Sequence, residues 1–219
     1  MIINILTLFP DFFTSPLNCS ILKKAQERVS LSINLIDIRQ FATDKHHTTD
    51  ESPYGGGAGM VMKIEPIDLA LQSINANKGQ ANSKIILTSA KGKLFTQQTA
   101  HSYFNLKQLT IICGHYEGVD ERVAEYLIDE EVRIGDYVLT GGEPAALVIT
   151  DAITRLIPDA LGNSESLLDE THQKVGITAY PQYTRPADYK GLQVPKILLS
   201  GDHQQIAKWR EDQRKNLQN

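Results

Sequence analysis

RIGDYVLTGGEPAALVITDAITRL, residues 133–156, carries a strand-like run that stops at Gly135 and a helix-like run that starts at about Glu143. Between them lies Asp136-Tyr137-Val138-Leu139-Thr140-Gly141-Gly142. A strand, a glycine turn and a helix in that order usually hold phosphate, because the first amides of a helix are unpaired donors. The helix is well specified. Pro144 suits its first turn, and Val148, Ile149, Ala152, Ile153 and Leu156 share one apolar stripe over 143–157.

Outward from this stretch, short apolar runs alternate with helix-like ones. Residues 2–8 read as a first strand, 18–28 as a helix, and LSINLIDI (31–38) as a strand alternating at period two. A helix over 65–75, the strand KIILTS, a helix near 96–104, the strand LTIICG, a helix over 119–127 and the strand EEVRI follow. This alternation predicts an α/β fold, a mostly parallel sheet with helices on both faces. Beyond Pro158 the periodicity fades: 159–182 reads as a long connection, and the sequence from Tyr183 as turns followed by a basic helix. The expected organisation is a body over 1–160, a flexible linker over 161–182 and a small basic helical part over 183–219.

A chain of 219 residues can bury one sizeable core, or one core and a small appendage. No apolar run approaches the roughly 20 residues of a membrane span. The N-terminal MIINILTLFPDFF lacks the basic flank and small-residue cleavage site of a signal peptide, and reads as a first strand. Cys19 and Cys113 are unaccompanied, as expected of reduced thiols in a cytoplasmic protein. The net charge of −4 hides an asymmetry: from Arg185 onward seven Lys/Arg face four Asp/Glu. A basic tail on an acidic body suits a polyanion docking at one place, and equally a solvated helical end.

Nine of the fifteen glycines fall in three clusters, at 55–59, at Gly114 and Gly118, and at Gly135, Gly141 and Gly142. The last two clusters follow predicted strands, whose carboxyl ends are where ligands bind in parallel sheets. Three such loops could line one pocket. None matches the phosphate-loop pattern, and Gly55-x-Gly57-x-x-Met60 fails the dinucleotide fingerprint at its third glycine. The second and third loops contain no lysine to meet phosphate. Backbone, Tyr116, Tyr137, Leu139 and acidic groups suit an adenine face and a positively charged ligand better than a triphosphate.

LTLFPDFF, DKHHTTDESPYGGGAGMVM, ICGHYEGVDERV, IGDYVLTGGE, AITRLIP and YPQYTRP, running in order from Leu6 to about Arg210, together resemble the bacterial tRNA (guanine-N1-)-methyltransferase family, TrmD, of the SPOUT class. The resemblance implies a trefoil knot late in the sheet domain and an obligate homodimer whose active site is shared, the linker of one subunit covering the cofactor loops of the other. It implies S-adenosylmethionine as methyl donor and N1 of guanosine 37, beside the anticodon of tRNA, as acceptor. By resemblance, Gly114 and the backbone of Ile134, Gly135, Asp136, Tyr137, Val138 and Leu139 hold the cofactor, with Thr88, Ser89, Tyr116, Glu117, Gly141 and Gly142 nearby. The 183–219 part would then grip tRNA.

Guanine N1 carries a weakly acidic proton, and the methyl donor is already a strong electrophile. The enzyme needs a carboxylate to take that proton and a cation at O6. Arg155 in AITRLIP matches the family's functional arginine; its alternative is an i,i+4 pair with Asp151. The family's aspartate segment is altered here, since Thr171 stands five residues before Gly176; by resemblance the base is Asp169, an aspartate as the family uses, with Glu170 the alternative. Magnesium is also implied by resemblance, with Glu117 and Asp169 as hard-oxygen candidates. His46-His47 is weak zinc spacing; the resemblance puts Asp50, Tyr54 and Gly59 near RNA or the dimer contact. Other departures are His115 for arginine, Ala90 for proline and few residues after KWREDQRKN. They leave open a protein of the same fold that binds RNA and cofactor without catalysis. A nicotinamide-dependent oxidoreductase would fit the α/β pattern but lacks the fingerprint.

Overall fold

The computed structural model describes residues 1–161, 169–172 and 176–215. The chain divides into two compact units, Met1–Gly162 and Asn163–Asn219. Of the expected linker, 162–168 and 173–175 lie outside the described residues.

The first unit is built on five parallel strands, β1 (Ile2–Thr7), β2 (Ser32–Asp37), β5 (Ser83–Leu94), β6 (Gln108–Cys113) and β7 (Glu130–Arg133), in the order β2-β1-β6-β5-β7. The short strands β3 (Asp50–Glu51) and β4 (Val61–Met62) form a separate antiparallel pair, and α1 (Thr14–Leu17) is a single turn. The central strands read as near-continuous apolar runs because both of their faces are covered. Leu109, Ile111 and Cys113 of β6 join Ile3 and Ile5 of β1 in a core capped by α2 (Ser20–Arg28), α4 (Gln97–Phe104) and α5 (Glu143–Thr154). Ile112 points the other way, with Leu6, Ile85 and Leu87, onto Ile67, Ala70 and Leu71 of α3 (Ile64–Ser73). Each fully buried side chain of this size contributes about 1.5–3 kcal/mol of transfer free energy. The α/β fold with helices on both faces is as expected.

Three local readings need correction. The helix expected over 119–127 starts only at Glu121, and its stretch Val123–Leu127 is π-helical. Met62 donates to the Gly118 carbonyl and accepts from the Asp120 amide, so 118–120 are held extended and no helix can start there. The last long helix ends at Thr154, with Arg155 as its capping residue. The strand KIILTS continues to Leu94 through a bulge. Val132 of β7 pairs with Thr88 and again with Lys93, and Ser89 to Gly92 loop out between. There the two backbones nearly touch: a Cβ on Gly92 would lie 2.5 Å from the carbonyl carbon of Glu131 and 2.7 Å from its oxygen.

At the other end of β5 and β7, Glu130 accepts from Lys84 Nζ at 2.8 Å and from the Tyr103 hydroxyl at 2.7 Å. Burial pushes the Glu130 carboxyl up, but the Lys84, Tyr103 and Lys93 contacts outweigh it and hold it below its ordinary 4.5. Burial, then Glu130, push the Tyr103 phenol well above its ordinary 10.0. The depressed acid stabilises the fold above pH 4.5, and that contribution fades as pH falls. The raised phenol acts oppositely: above pH 10 the unfolded tyrosine ionises first and draws the chain toward unfolding. Stability should therefore decline on both sides, and Tyr103→Phe should weaken the acid limb and remove the alkaline one in denaturant titrations across pH. An unchanged alkaline limb in Tyr103→Phe would refute this.

In the second unit, β8 (Asp188–Tyr189) and β9 (Leu192–Gln193) form a hairpin. Its two turn residues, Lys190 and Gly191, have φ of 55° and 86°, the pair of left-handed conformations that matches strand twist in a two-residue loop. Helix α6 (His203–Asp212) falls where a basic helix is expected, but within it Lys208 and Arg210 are balanced by Glu211 and Asp212. Asp202 caps it, accepting the amides of Gln204 and Gln205 at 3.1 Å. Among the described residues no helix is long and apolar enough to cross a membrane.

Candidate active site

The carboxyl ends of β6 and β7 and the bulge of β5 open on the same side of the sheet, and the loops leaving them are tied together. Thr88 Oγ1 donates to the Ile112 carbonyl at 3.1 Å and accepts the Gly114 amide at 3.3 Å. The Gly142 amide donates to the Gly114 carbonyl at 2.8 Å, and His115 pairs with Gly141 in an isolated antiparallel bridge. None of Gly114, Gly135, Gly141 and Gly142 has a left-handed φ. They are glycines because the space is taken. A Cβ on Gly142 would overlap Thr88 Oγ1 and lie 2.9 Å from Cys113 Cα; one on Gly141 would lie 2.5 Å from both Glu143 Oε2 and His115 Cδ2. Beneath them Glu143 is buried and accepts from Thr7 Oγ1 at 2.8 Å. Burial, with the Glu143 charge second, holds the Cys113 thiol far above its ordinary range, so it is an inert floor.

These loops enclose a cavity of about 450 Å³, within the usual range for small-molecule sites. Of the residues expected to hold a ligand, Thr88, Ser89, Gly114, Tyr116, Glu117, Ile134, Gly135, Tyr137, Val138, Leu139, Gly141 and Gly142 all line it. Asp136 does not; its carboxylate turns outward to Arg133 Nε at 2.8 Å. The 55–59 glycines do not line it either. Gly55 and Gly56 have open space around them, and only Gly59 reaches the second loop, against the Glu117 side chain. Tyr116 sits at φ 58°, uncommon for a bulky residue and a mark of the tight turn after β6.

Residues that the sequence did not single out complete the rim. Lys91 donates to both Glu121 oxygens, at 2.8 and 2.6 Å, with Glu131 at 3.6 Å; the Glu121 hydrogen bond holds its ammonium above the ordinary value. Arg133 is likewise engaged, by Asp136 and the Gly92 carbonyl. With both cations paired, the lining offers backbone, aromatic faces and carboxylates. His115 stands between Phe9 and Tyr116, ring centroids at 4.9 and 5.2 Å, with its Nδ1 buried and unpaired.

The expected catalytic residues are not all gathered here. Glu117 lines the cavity, whereas Arg155 follows the last turn of α5 and is outside the lining. Asp169 belongs to the second unit, where its carboxylate accepts from Arg214 and, at 3.5 Å, from the Tyr180 hydroxyl.

A family model described as tRNA (Guanine-1)-methyltransferase TrmD matches residues 1–218. The chain belongs to the TrmD family. It is 53% identical over 213 residues to the tRNA (guanine-N(1)-)-methyltransferase of Carboxydothermus hydrogenoformans, covering 97% of this chain and 82% of that one. It is also 53% identical over 211 residues to the enzyme of the same name from Geobacillus kaustophilus, covering 96% and 85%, and 51% identical to that from Chloroflexus aggregans, covering 96% and 82%. A TrmD methyltransferase implies S-adenosylmethionine, and the cavity fits it. Its floor stays at backbone level at Gly114 and Gly142, and Glu117 is a lining carboxylate outside the Lys91–Glu121–Glu131 and Arg133–Asp136 ion pairs, which suits a sulfonium. Among the described residues no group of three or more His, Cys, Asp or Glu could hold a metal.

Proposed function

We propose that this chain transfers a methyl group from S-adenosylmethionine to N1 of guanosine 37 in tRNA. The observation that carries the reading is the match to the TrmD family over residues 1–218, with the family's loops converging on one cavity. The cofactor, when bound, supplies an electrophilic methyl group. Gly114, Gly142 and the backbone from Ile134 to Leu139 form its bed, with Tyr116 and Tyr137 contributing apolar faces and Glu117 a carboxylate. Asp169 takes the N1 proton of guanine, and Arg155 stabilises the charge that builds on O6. The guanine leaves the anticodon stack to be reached.

Residues 1–160 are the cofactor-binding domain, 161–182 the linker, and 183–219 the part that grips tRNA, consistent with its Lys190, Lys196, Lys208 and Arg210. The first unit carries the trefoil knot of the SPOUT class, a reading supported by the family match. The active site is shared between the subunits of a homodimer, magnesium assists the reaction, and the protein works in the cytoplasm, where its tRNA substrate is. The test is methyl transfer from labelled S-adenosylmethionine to unmodified tRNA with G at positions 36 and 37, beside a G37 replacement. Incorporation that depends on G37 is expected. Cofactor binding without incorporation would favour the second reading, a protein that keeps the fold and binds RNA without catalysis, which the altered segment around Thr171 motivates.

A further inference from the structure

Asp169 is held by a cluster made wholly within the second unit. The Tyr180 ring, whose hydroxyl reaches the Asp169 carboxylate, faces two guanidinium groups, with Arg210 at 4.8 Å and Arg214 at 5.5 Å from its centroid. Arg214 is the more enclosed, its side chain 19% exposed, and its Nε lies 3.1 Å from Glu211 Oε2. The backbone fixes the same place: the Thr178 amide donates to the Lys215 carbonyl and the Lys215 amide to Thr178 Oγ1, both at 2.9 Å. The residues just after α6 are thereby strapped to 178–180. A guanidinium presents donors in a rigid planar fork, so a braced arginine sets the orientation of the carboxylate it meets.

We propose that Arg214, braced by Tyr180, Glu211 and the Thr178–Lys215 pair, is a positioning residue for Asp169. The proposal rests on the reading of Asp169 as the general base. A base displaced by about 1 Å loses roughly two orders of magnitude in rate, so fixing it is a separate requirement from supplying it. Arg214 meets that requirement from the C-terminal end of the chain, so the base and α6 are carried on one body.

The test uses the full chain, with S-adenosylmethionine and unmodified tRNA at saturation. Arg214→Ala should lower kcat by roughly tenfold, leave the KM for S-adenosylmethionine unchanged and change the KM for tRNA by no more than about twofold. Arg214→Lys, which keeps the charge and loses the fork, should recover part of the rate. In an Asp169→Asn background, Arg214→Ala should slow the enzyme no further. A loss confined to the KM for tRNA would overturn the proposal and make Arg214 an RNA contact. So would an equal further loss in the Asp169→Asn background, or an unchanged kcat. An Asp169→Asn enzyme of undiminished kcat would bring down the base assignment itself, and the positioning role with it.

Discussion

Gly142→Ala is expected to weaken S-adenosylmethionine binding by about 100-fold or more, equivalent to roughly 2.7 kcal/mol. The added methyl would overlap Thr88 Oγ1, whose hydroxyl is already committed to the Ile112 carbonyl and the Gly114 amide. It would also sit 2.9 Å from Cys113 Cα and from the Gly114 nitrogen, which are backbone atoms of a central strand and its exit. Neither can retreat, so the third loop must. Its retreat breaks the hydrogen bond from Gly142 to Gly114 and widens the cavity at its floor. Overpacking of this kind also costs about 1–3 kcal/mol of stability. Titration calorimetry with the cofactor and thermal unfolding on one sample would separate the two effects. Val138→Ala, at a residue 84% exposed, should change affinity by no more than a few-fold. Equal affinities for Gly142→Ala and the parent would refute the assignment of the bed.

Asp169→Asn should lower kcat by about 10²–10⁴-fold, the range of a general base, while leaving cofactor affinity intact. The separation follows from where the residues lie: every residue lining the cavity belongs to the first unit, and Asp169 to the second. Glu170→Gln should stay within a few-fold of the parent. Arg155→Ala should lose about 10²–10³-fold if it meets charge on O6, as removal of an oxyanion donor does. Single-turnover methylation of tRNA at saturating cofactor reads all three. Loss at Glu170 with retention at Asp169 would reverse the assignment of the base.

The fold was legible wherever burial on two faces wrote itself into composition. The runs IINILT and QLTIIC could only be strands covered on both sides, and the stripe on α5 could only be a packed helix. What escaped depended on partners distant in sequence. Residues 119 and 120 read as part of a helix, but Met62 claims the 118–120 backbone and the helix starts at Glu121. Ala-Lys-Gly after Ser89 looks like the end of a strand, yet β7 recaptures the chain at Lys93. The glycines of the site were legible as a bed, though the reason differed: they admit neighbouring loops as much as a ligand. Asp136 was placed in that bed through its backbone; that its side chain turns away to Arg133 is a tertiary detail its position in the loop did not carry. The tie between Asp169 and Arg214, 45 residues apart, left no local signal.

The construction of the floor bears on how this site could change under selection. A small molecule that competes for the bed through the amides of Ile134 to Leu139 would meet recognition groups that substitution does not remove. The neighbouring positions where substitution would count, Gly114, Gly141 and Gly142, have no room for any side chain. Escape by a single point mutation would then have few routes, most of them at exposed side chains such as Val138 or on the Lys91–Glu121 rim.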